Sequence, residues 1–409
     1  MNNKPTLQDL YSWPGIRAQA RTTNHAFDPL ARVVELRRRQ KKSVCSGCQK
    51  TVRAIRSRRT HMVRDLDAAG TTIYVAFEYR RVQCPHCQAV KQESLNWLAK
   101  SNRFTQRFED FIGKQCRDMT VKRAAELNRI SWDQAWRMDK AYMRELLEQN
   151  PPPQQLRAIG IDEVSVKKGH TYAITVATLE PGAERPIWMG GSGRKEEDMN
   201  LFFEAMGPQR CRSIELIVID MWKAFRNAAK TYAPQARIIF DKFHVLRHLS
   251  DALDEIRRSE YKRVSEKERQ FIKGQRYTLL SHKANLDIKG RRALRMLLKA
   301  NKRLHRAYLL KESFEQLWAY NNPTWARKFF ENWKDQLRWQ RLKSFEKFAA
   351  MIDRHWDGVV SYCHPDNKVS LGFMEGLNNK IRVIQRRAYG IKDREYLMLK
   401  VITSFIKDP

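Results

Sequence analysis

The sequence predicts a multidomain α/β protein in which two small N-terminal modules precede a mixed sheet covered by helices. Three observations predict it. Two Cys-x-x-Cys pairs, Cys45/Cys48 and Cys84/Cys87, bracket a stretch rich in strand-forming residues. Residues 119–143 carry a helix–turn–helix pattern. Beyond the stiff linker Pro151-Pro152-Pro153, hairpin-spaced strands give way to alternating helix and strand, the pattern of a mixed sheet with helices on its faces.

Composition narrows the partner. The chain has 409 residues, 42% of them hydrophobic, enough for more than one core. Lys and Arg number 78 against 45 Asp and Glu, a formal charge of +33, which calls for a polyanion, most simply DNA. No stretch approaches the roughly 18 apolar residues of a spanning helix, so no membrane is expected. The N-terminus has no apolar core of a signal peptide. A reducing, cytoplasmic setting is therefore expected, where cysteine pairs bind metal more often than they form disulfides.

In chain order, residues 1–40 read as an arm that turns strongly basic at Arg37-Arg38-Arg39-Gln40-Lys41-Lys42. The cysteine pairs follow, separated by 35 residues. Four thiolates close a tetrahedral zinc site, and residues 71–82 are one clear strand of a hairpin spanning the gap, so residues 41–95 are expected to be a zinc ribbon. His86 and His61 could each replace a sulfur, but four cysteines are favoured. Arg56, Arg58 and Arg59 would line a DNA-facing surface. Cys116, Cys211 and Cys363 read as ordinary buried thiols.

Residues 100–148 are expected to form a helix-turn-helix domain. Val121, Ala124, Ala125 and Leu127 give its first helix an apolar face, Asn128-Arg129-Ile130 makes the turn, and Ser131 is a good N-cap. The second helix then offers Ser131, Trp132, Asp133, Gln134 and Arg137 to DNA. An ordinary αα-hairpin has the same pattern, and the basic charge favours the DNA reading.

After the linker, residues 156–166, 170–178 and 185–189 read as strands with short connections at Lys167-Lys168-Gly169 and Pro181-Gly182. A helix, the strand "IELIVID", a helix and the strand "ARIIFD" follow, and residues 243–360 read as charged amphipathic helix. Two apolar strands run into a carboxylate, Asp162 and Asp220. Glu163 beside Asp162 points to the other face of its strand. If the two strands are central and adjacent, Asp162 and Asp220 converge, as carboxylates that hold divalent cations for phosphoryl transfer must. A later helix can supply a third: Glu375, with Asn378 and Asn379 at i+3 and i+4. Lys380, Arg382, Arg386 and Arg387 follow it and suit a phosphate backbone. On spacing alone, three unrelated acids remain the plain alternative.

The stretches "RRVQCPHC", "GIDEVSVKKGHTYAITVATL", "VIDMWKAFRNAAKTYAPQARIIFDKFHVLRHL" and "GFMEGLNNKIRVIQRRAYGI" together resemble the bacterial insertion-sequence transposases of the IS-L-three family, from about residue 40 to the C-terminus. The resemblance implies an RNase H-like core with a DDE triad at Asp162, Asp220 and Glu375. It implies recognition of terminal inverted repeats by the N-terminal modules. Asp241 and His244 match a D-x-x-H element of related transposases, with His244 expected near the site or the DNA and helix capping by Asp241 as the plainer reading. The 154 residues between Asp220 and Glu375 exceed by about a hundred what a strand, a helix and their loops need. An all-α insertion over residues 261–360 would then divide the core into residues 155–260 and 361–409.

The expected protein is a transposase with two catalytic Mg²⁺ or Mn²⁺ ions and one structural Zn²⁺. Its partners are double-stranded DNA, as inverted repeats and target, and a second copy or more of itself when bound to DNA, near the nucleoid. A nuclease that cuts without joining and a non-catalytic DNA-binding regulator are the rivals. The first knuckle departs from the family in reading Cys-Ser-Gly-Cys-Gln, where proline and glycine are expected.

Overall fold

The alternating stretch "TTIYVAFEYRRVQC" becomes the organising strand of the first unit. The structure is a computed structural model and describes residues 8–167, 171–193 and 195–407. The chain divides at the proline linker into two units, residues 1–150 and 151–406.

In the first unit, β1 (Ile16–Asn24), β2 (Ala31–Arg38), β3 (Ser43–Cys45), β4 (Thr51–Val52), β5 (Ile55–Ala68), β6 (Thr71–Cys84) and β7 (Ala89–Ser94) form one sheet. Its order is β1-β2-β6-β7-β3-β4, with β5 on the other side of β6. β5 and β6 make the long hairpin expected between the knuckles. β6 is long enough to pair β2 through its first half and β7 through its last residues. Period-2 burial puts Ile73, Val75, Phe77 and Tyr79 into a core with Ile16, Val34, Leu36 and Trp97.

That core corrects the expected N-terminal arm. Residues 16–38 are two sheet strands, because "IRAQARTTN" and "ARVVELRR" pair antiparallel and β2 adds to β6 in parallel register. Residues 1–7 of the expected arm lie outside the described residues. Helices α1 (Gln106–Asp118), α2 (Val121–Leu127) and α3 (Trp132–Gln149) complete the unit around Phe104, Phe108, Ile112, Ala124, Ala125 and Met138.

The second unit is built on a five-stranded sheet of β8 (Ala158–Lys167), β9 (Thr171–Thr178), β10 (Arg185–Gly190), β11 (Leu216–Ile219) and β12 (Arg237–Phe240). The order is β10-β9-β8-β11-β12, antiparallel from β10 to β8 and parallel from β8 to β12. The expected turn at Lys168-Gly169 lies outside the described residues. α4 (Glu196–Met206), α5 (Pro208–Cys211) and α6 (Lys223–Tyr232) occupy the connections between β10, β11 and β12. α7 (Lys242–Arg263) leaves the end of β12.

The chain is then helical: α8 (Glu266–Ile272), α9 (Arg276–Leu280), α10 (Ile288–Ala300), α11 (Lys302–Phe314), α12 (Pro323–Asp335), α13 (Lys343–Arg354) and α14 (Trp356–Ser361). These helices are not a body with its own core. Leu297, Phe314, Trp333 and Ile352 belong to the same buried cluster as Ile161, Ile217 and Phe240 of the sheet. The last two helices, α15 (Gly372–Arg387) and α16 (Arg394–Thr403), bury Met374, Leu377, Ile381, Leu397 and Val401 against Val164, Ala173, Ala177 and Met189. Among the described residues no helix is long and apolar enough to cross a membrane.

Candidate active site and metal centre

Parallel pairing brings the two aspartates together. Val218 of β11 lies opposite Gly160 of β8, each two residues before its aspartate, and Asp162 feels the charge of Asp220. Asp162 is 7% exposed and Asp220 is half-buried. Asp220 does not cap α6: its Oδ1 accepts from the Met221 backbone N–H at 2.6 Å, and the residue before α6 is Trp222. Strand alternation sends Asp162 to the face that carries Val164, the face covered by α15. Glu163 is on the opposite side.

Helix α15 runs along β8. A Cβ on Gly160 would lie 2.9 Å from Met374, so the absence of a side chain there lets the helix approach. One turn on, Asn378 Nδ2 donates to Asp162 Oδ2 at 2.6 Å, and Gln385 donates to the Val166 carbonyl at 3.5 Å. Asp162 Oδ1 accepts from the Glu163 backbone N–H at 2.7 Å. Asn378 Oδ1 is buried without a partner among the described residues. Glu375 stands one turn before Asn378 on the same helix and is exposed.

A third carboxylate and two histidines come from α7. Asp241 accepts from the Phe243 N–H and caps that helix, so the capping reading holds. It is also 5% exposed and belongs to the acidic cluster. Burial pushes its carboxyl up to about 6, with the charges of Asp162 and Asp220 adding to the rise and His244 opposing it. Burial likewise raises Asp162, against the pull of His244, the Glu163 N–H and Asn378. His244 Nε2 is 3.9 Å from Asp162 Oδ1, and its Nδ1 is buried with no partner among the described residues. His248, one turn along, feels Asp220, though burial lowers its pKa. The sequence reading passed over His248; its signal was the i, i+4 spacing from His244.

Mutual repulsion of buried acids is relieved by a bound cation, so the donor set suits a hard divalent ion. The closure is partial. Among the described residues the four cysteines are the one group of three or more Cys, His, Asp or Glu with ligand atoms all within 4.8 Å of one another. Asp162, Asp220 and Glu375 are not drawn that close.

The cysteines fit zinc. Cys45 Sγ lies 3.8 Å from Cys87 Sγ, and Cys48 Sγ lies 3.6 Å from Cys84 Sγ. A tetrahedron with Zn–S bonds of about 2.3 Å has edges of about 3.8 Å. Backbone N–H groups of Cys48 and Gly47 lower the Cys45 thiol to about 7, while a bond with Cys48 raises Cys87 to about 12. His61 is elsewhere: it stacks on Tyr79 and contacts the Asn102 carbonyl. Both knuckles turn through a left-handed glutamine, Gln49 at φ 56° and Gln88 at φ 51°, where glycine would be unstrained. The other three cysteines are buried thiols.

The remaining sequence candidates divide. Arg56, Arg58 and Arg59 are exposed on β5, with Arg58 3.8 Å from Glu78 and Arg59 over the Tyr79 ring. In the helix-turn-helix, Arg129 makes the turn at φ 53° and Ser131 caps α3. Ser131 and Gln134 bond each other in a capping box, so both are committed to starting the helix. Trp132 is exposed and stacked on Trp136, and Arg137 pairs with Asp133 at 3.0 Å. Leu127 is a correction: it is 47% exposed, and the buried face of α2 is Ala124 and Ala125, with Val121 packed partly buried beside them. Lys380 is half-buried, and its Nζ donates to the Ser404 carbonyl at 2.6 Å and sits over Phe405, holding the segment after α16. Arg382, Arg386 and Arg387 are exposed, with Arg382 bonding Asn379.

Comparison with known proteins agrees with this layout. Residues 159–401 match the DDE-type ISL3 family described as a transposase. Residues 93–143 match the helix-turn-helix domain of transposase family ISL3, and residues 41–87 the zinc-finger of transposases IS204/IS1001/IS1096/IS1165. The chain is 29% identical over 417 residues to the transposase for insertion sequence element IS1001 of Bordetella parapertussis, covering 99% of each. It is 26% identical over 359 residues to the transposase for IS1557 of Mycobacterium tuberculosis, covering 82% of this chain and 79% of that one.

Proposed function

The chain belongs to the ISL3 family of insertion-sequence transposases, and from that premise we propose that Asp162, Asp220 and Glu375 are the DDE carboxylates of its active site. It is a DNA transposase that binds insertion-sequence DNA, with a helix-turn-helix and a Cys₄ zinc-finger preceding the catalytic region. One observation carries the assignment. Asp162 lies on β8 and Asp220 directly follows the neighbouring parallel strand β11, and Asn378 ties the helix of Glu375 to Asp162.

The strand order β10-β9-β8-β11-β12, three antiparallel then two parallel, supports an RNase H-like core. Helices α8–α14 would be the all-α insertion, packed into that core. The domain plan is then a ribbon over residues 41–95, a helix-turn-helix over 100–148, and a core in two parts, 155–260 and 361–409.

Asp162 and Asp220 would hold Mg²⁺ or Mn²⁺ through hard oxygen ligands, completed by Glu375. When bound, such ions supply an activated oxygen nucleophile and stabilise a leaving 3′-oxygen in an in-line displacement. The protein's own groups set that chemistry up. Asn378 fixes the orientation of the Asp162 carboxylate. Asp241 adds negative charge beside the pair while holding the start of α7. His244, on the next turn, faces Asp162 and is available to a DNA phosphate. In the first step water attacks phosphorus and the P–O3′ bond breaks, releasing a 3′-OH. That hydroxyl then attacks a target phosphodiester and expels its 3′-oxygen. Exposed Trp132, Arg137, Arg56, Arg58, Arg59, Arg382, Arg386 and Arg387 are the DNA contacts of this reading. Two transposon ends require two active sites, so a homodimer or larger assembly forms on DNA in the cytoplasm.

The experiment is strand joining. Labelled inverted-repeat ends with Mg²⁺ or Mn²⁺ and a target plasmid should yield both cut ends and joined products. Cutting without joining would identify a nuclease, and binding with neither would identify a regulator.

A further inference from the structure

We propose a second DNA contact on the first unit, distinct from the helix-turn-helix: a groove beside the cysteine centre that grips the phosphate backbone without reading sequence. A cavity of about 970 Å³ opens between the knuckle strands and the long hairpin, lined by Lys41, Lys42, Arg53, Arg58 and Arg80 among neutral residues. Among the described residues no carboxylate lines it.

The charge balance decides what the groove can hold. Arg80 is 7% exposed and already committed, donating to Glu78 at 2.6 Å and to the Lys41 carbonyl at 3.1 Å. Arg38 beneath is matched by Glu93 at 2.6 Å. Arg80 therefore forms the floor and fixes the main chain of residues 40–41. Lys41, Lys42 and Arg53 are exposed, and among the described residues no carboxylate pairs with any of them within 4.0 Å. Arg58 shares Glu78 only at 3.8 Å. A chain that leaves three or four cations unpaired in one concave surface, over a rigid floor, suits a repeating anion. Among the described residues that line the groove there is no aromatic ring for stacking. Duplex backbone is the ligand that this chemistry fits.

The groove's outer wall is residues 41–44, 51 and 53, which β3 and β4 hold in place. Those strands run directly into and out of the Cys45/Cys48 knuckle. The cysteine centre would thus shape a phosphate clamp as well as stabilise its module. This inference rests on the protein's binding DNA, and its test separates the two ideas by comparing specific with unrelated duplexes.

The test is the salt dependence of binding by full-length protein to an inverted-repeat duplex and to an unrelated duplex of equal length, followed by fluorescence anisotropy. Each phosphate contact contributes about 0.9 to the slope of log affinity against log salt. Replacing Lys41, Lys42 and Arg53 together by Ala should reduce the slope by about 0.9 per cation on both duplexes and leave their affinity ratio unchanged. The charge-keeping set Lys41→Arg, Lys42→Arg, Arg53→Lys should retain the wild-type slope. Arg137→Ala should instead lower the ratio, and its failure to do so would count against the helix-turn-helix reading alone. The groove proposal is overturned if the alanine set leaves the slope unchanged. It is also overturned if the exposed set Lys299→Ala, Lys343→Ala, Lys347→Ala lowers the slope as much, or if the charge-keeping set behaves like the alanine set.

Discussion

Truncating Asn378 to alanine should reveal how tightly the helix of Glu375 is coupled to Asp162. The bond from Asn378 Nδ2 to Asp162 Oδ2 is 2.6 Å long, and both residues are buried. A hydrogen bond to a charged partner contributes about 1.5–3 kcal/mol. The single substitution should cost less than that, because Asn378 Oδ1 is already buried without a partner and its removal recovers part of the loss. A double-mutant cycle isolates the pair: Asn378→Ala, Asp162→Ala and the combination, measured by urea unfolding of the full-length protein followed by tryptophan fluorescence. The coupling energy should fall between about 1.5 and 3 kcal/mol. Additivity within about 0.5 kcal/mol, the behaviour of independent sites, would refute the claim that Asn378 orients this carboxylate.

Three further outcomes follow from the packing and the charges. Gly113→Ala places a Cβ 2.3–2.8 Å from Tyr142 where α1 crosses α3, so it should destabilise the helix-turn-helix by about 3 kcal/mol or more and abolish preference for end DNA; wild-type preference would contradict the packing. Burial and the neighbouring Asp110 and Glu145 raise Glu109 to about 7, so the folded form binds a proton that the unfolded chain releases near 4.5. Stability should therefore fall as pH rises from about 4.5 to 7, and Glu109→Gln should raise Tm at pH 8 but not at pH 4; equal effects at both would count against it. Freshly purified, reduced protein should hold about one zinc, and Cys84→Ser should lose it together with specific DNA binding while residues 151–406 stay folded; metal analysis without zinc would refute the Cys₄ centre.

Local patterns were legible where one physical constraint dominates. The apolar runs before Asp162 and Asp220, the paired cysteines and the Ser131 cap each announce a local structure, and each is found there. Residues 16–38 misled because their arginines mask an apolar alternation, Val34 and Leu36 facing inward while charged neighbours face out. Leu127 misled because α2 is only seven residues long and buries two alanines. What was not legible is long-range. Nothing in "NNKIRV" tells that Lys380 will reach the Ser404 carbonyl, or that Asn378 will meet a carboxylate 216 positions away. The surplus before Glu375 was visible as helix, but its sharing of the sheet's core depends on which faces of α10–α14 turn inward, and that is set by packing. Asp241 shows both limits at once: the cap is a local signal, the acidic cluster around it is not.

The measurement that tests the central claim most directly is cleavage of labelled end DNA by Asp220→Asn, with a binding control and with Asp162→Asn and Glu375→Gln alongside. Asparagine keeps the size of Asp220 and its acceptor for the Met221 N–H but removes the anionic ligand. The account predicts that all three variants bind end DNA and fold as the wild type does. Each should lose cleavage with Mg²⁺ or Mn²⁺, and combining them should add little, because the carboxylates act as one unit. Cleavage by Asp220→Asn at near the wild-type rate would contradict the assignment of the site.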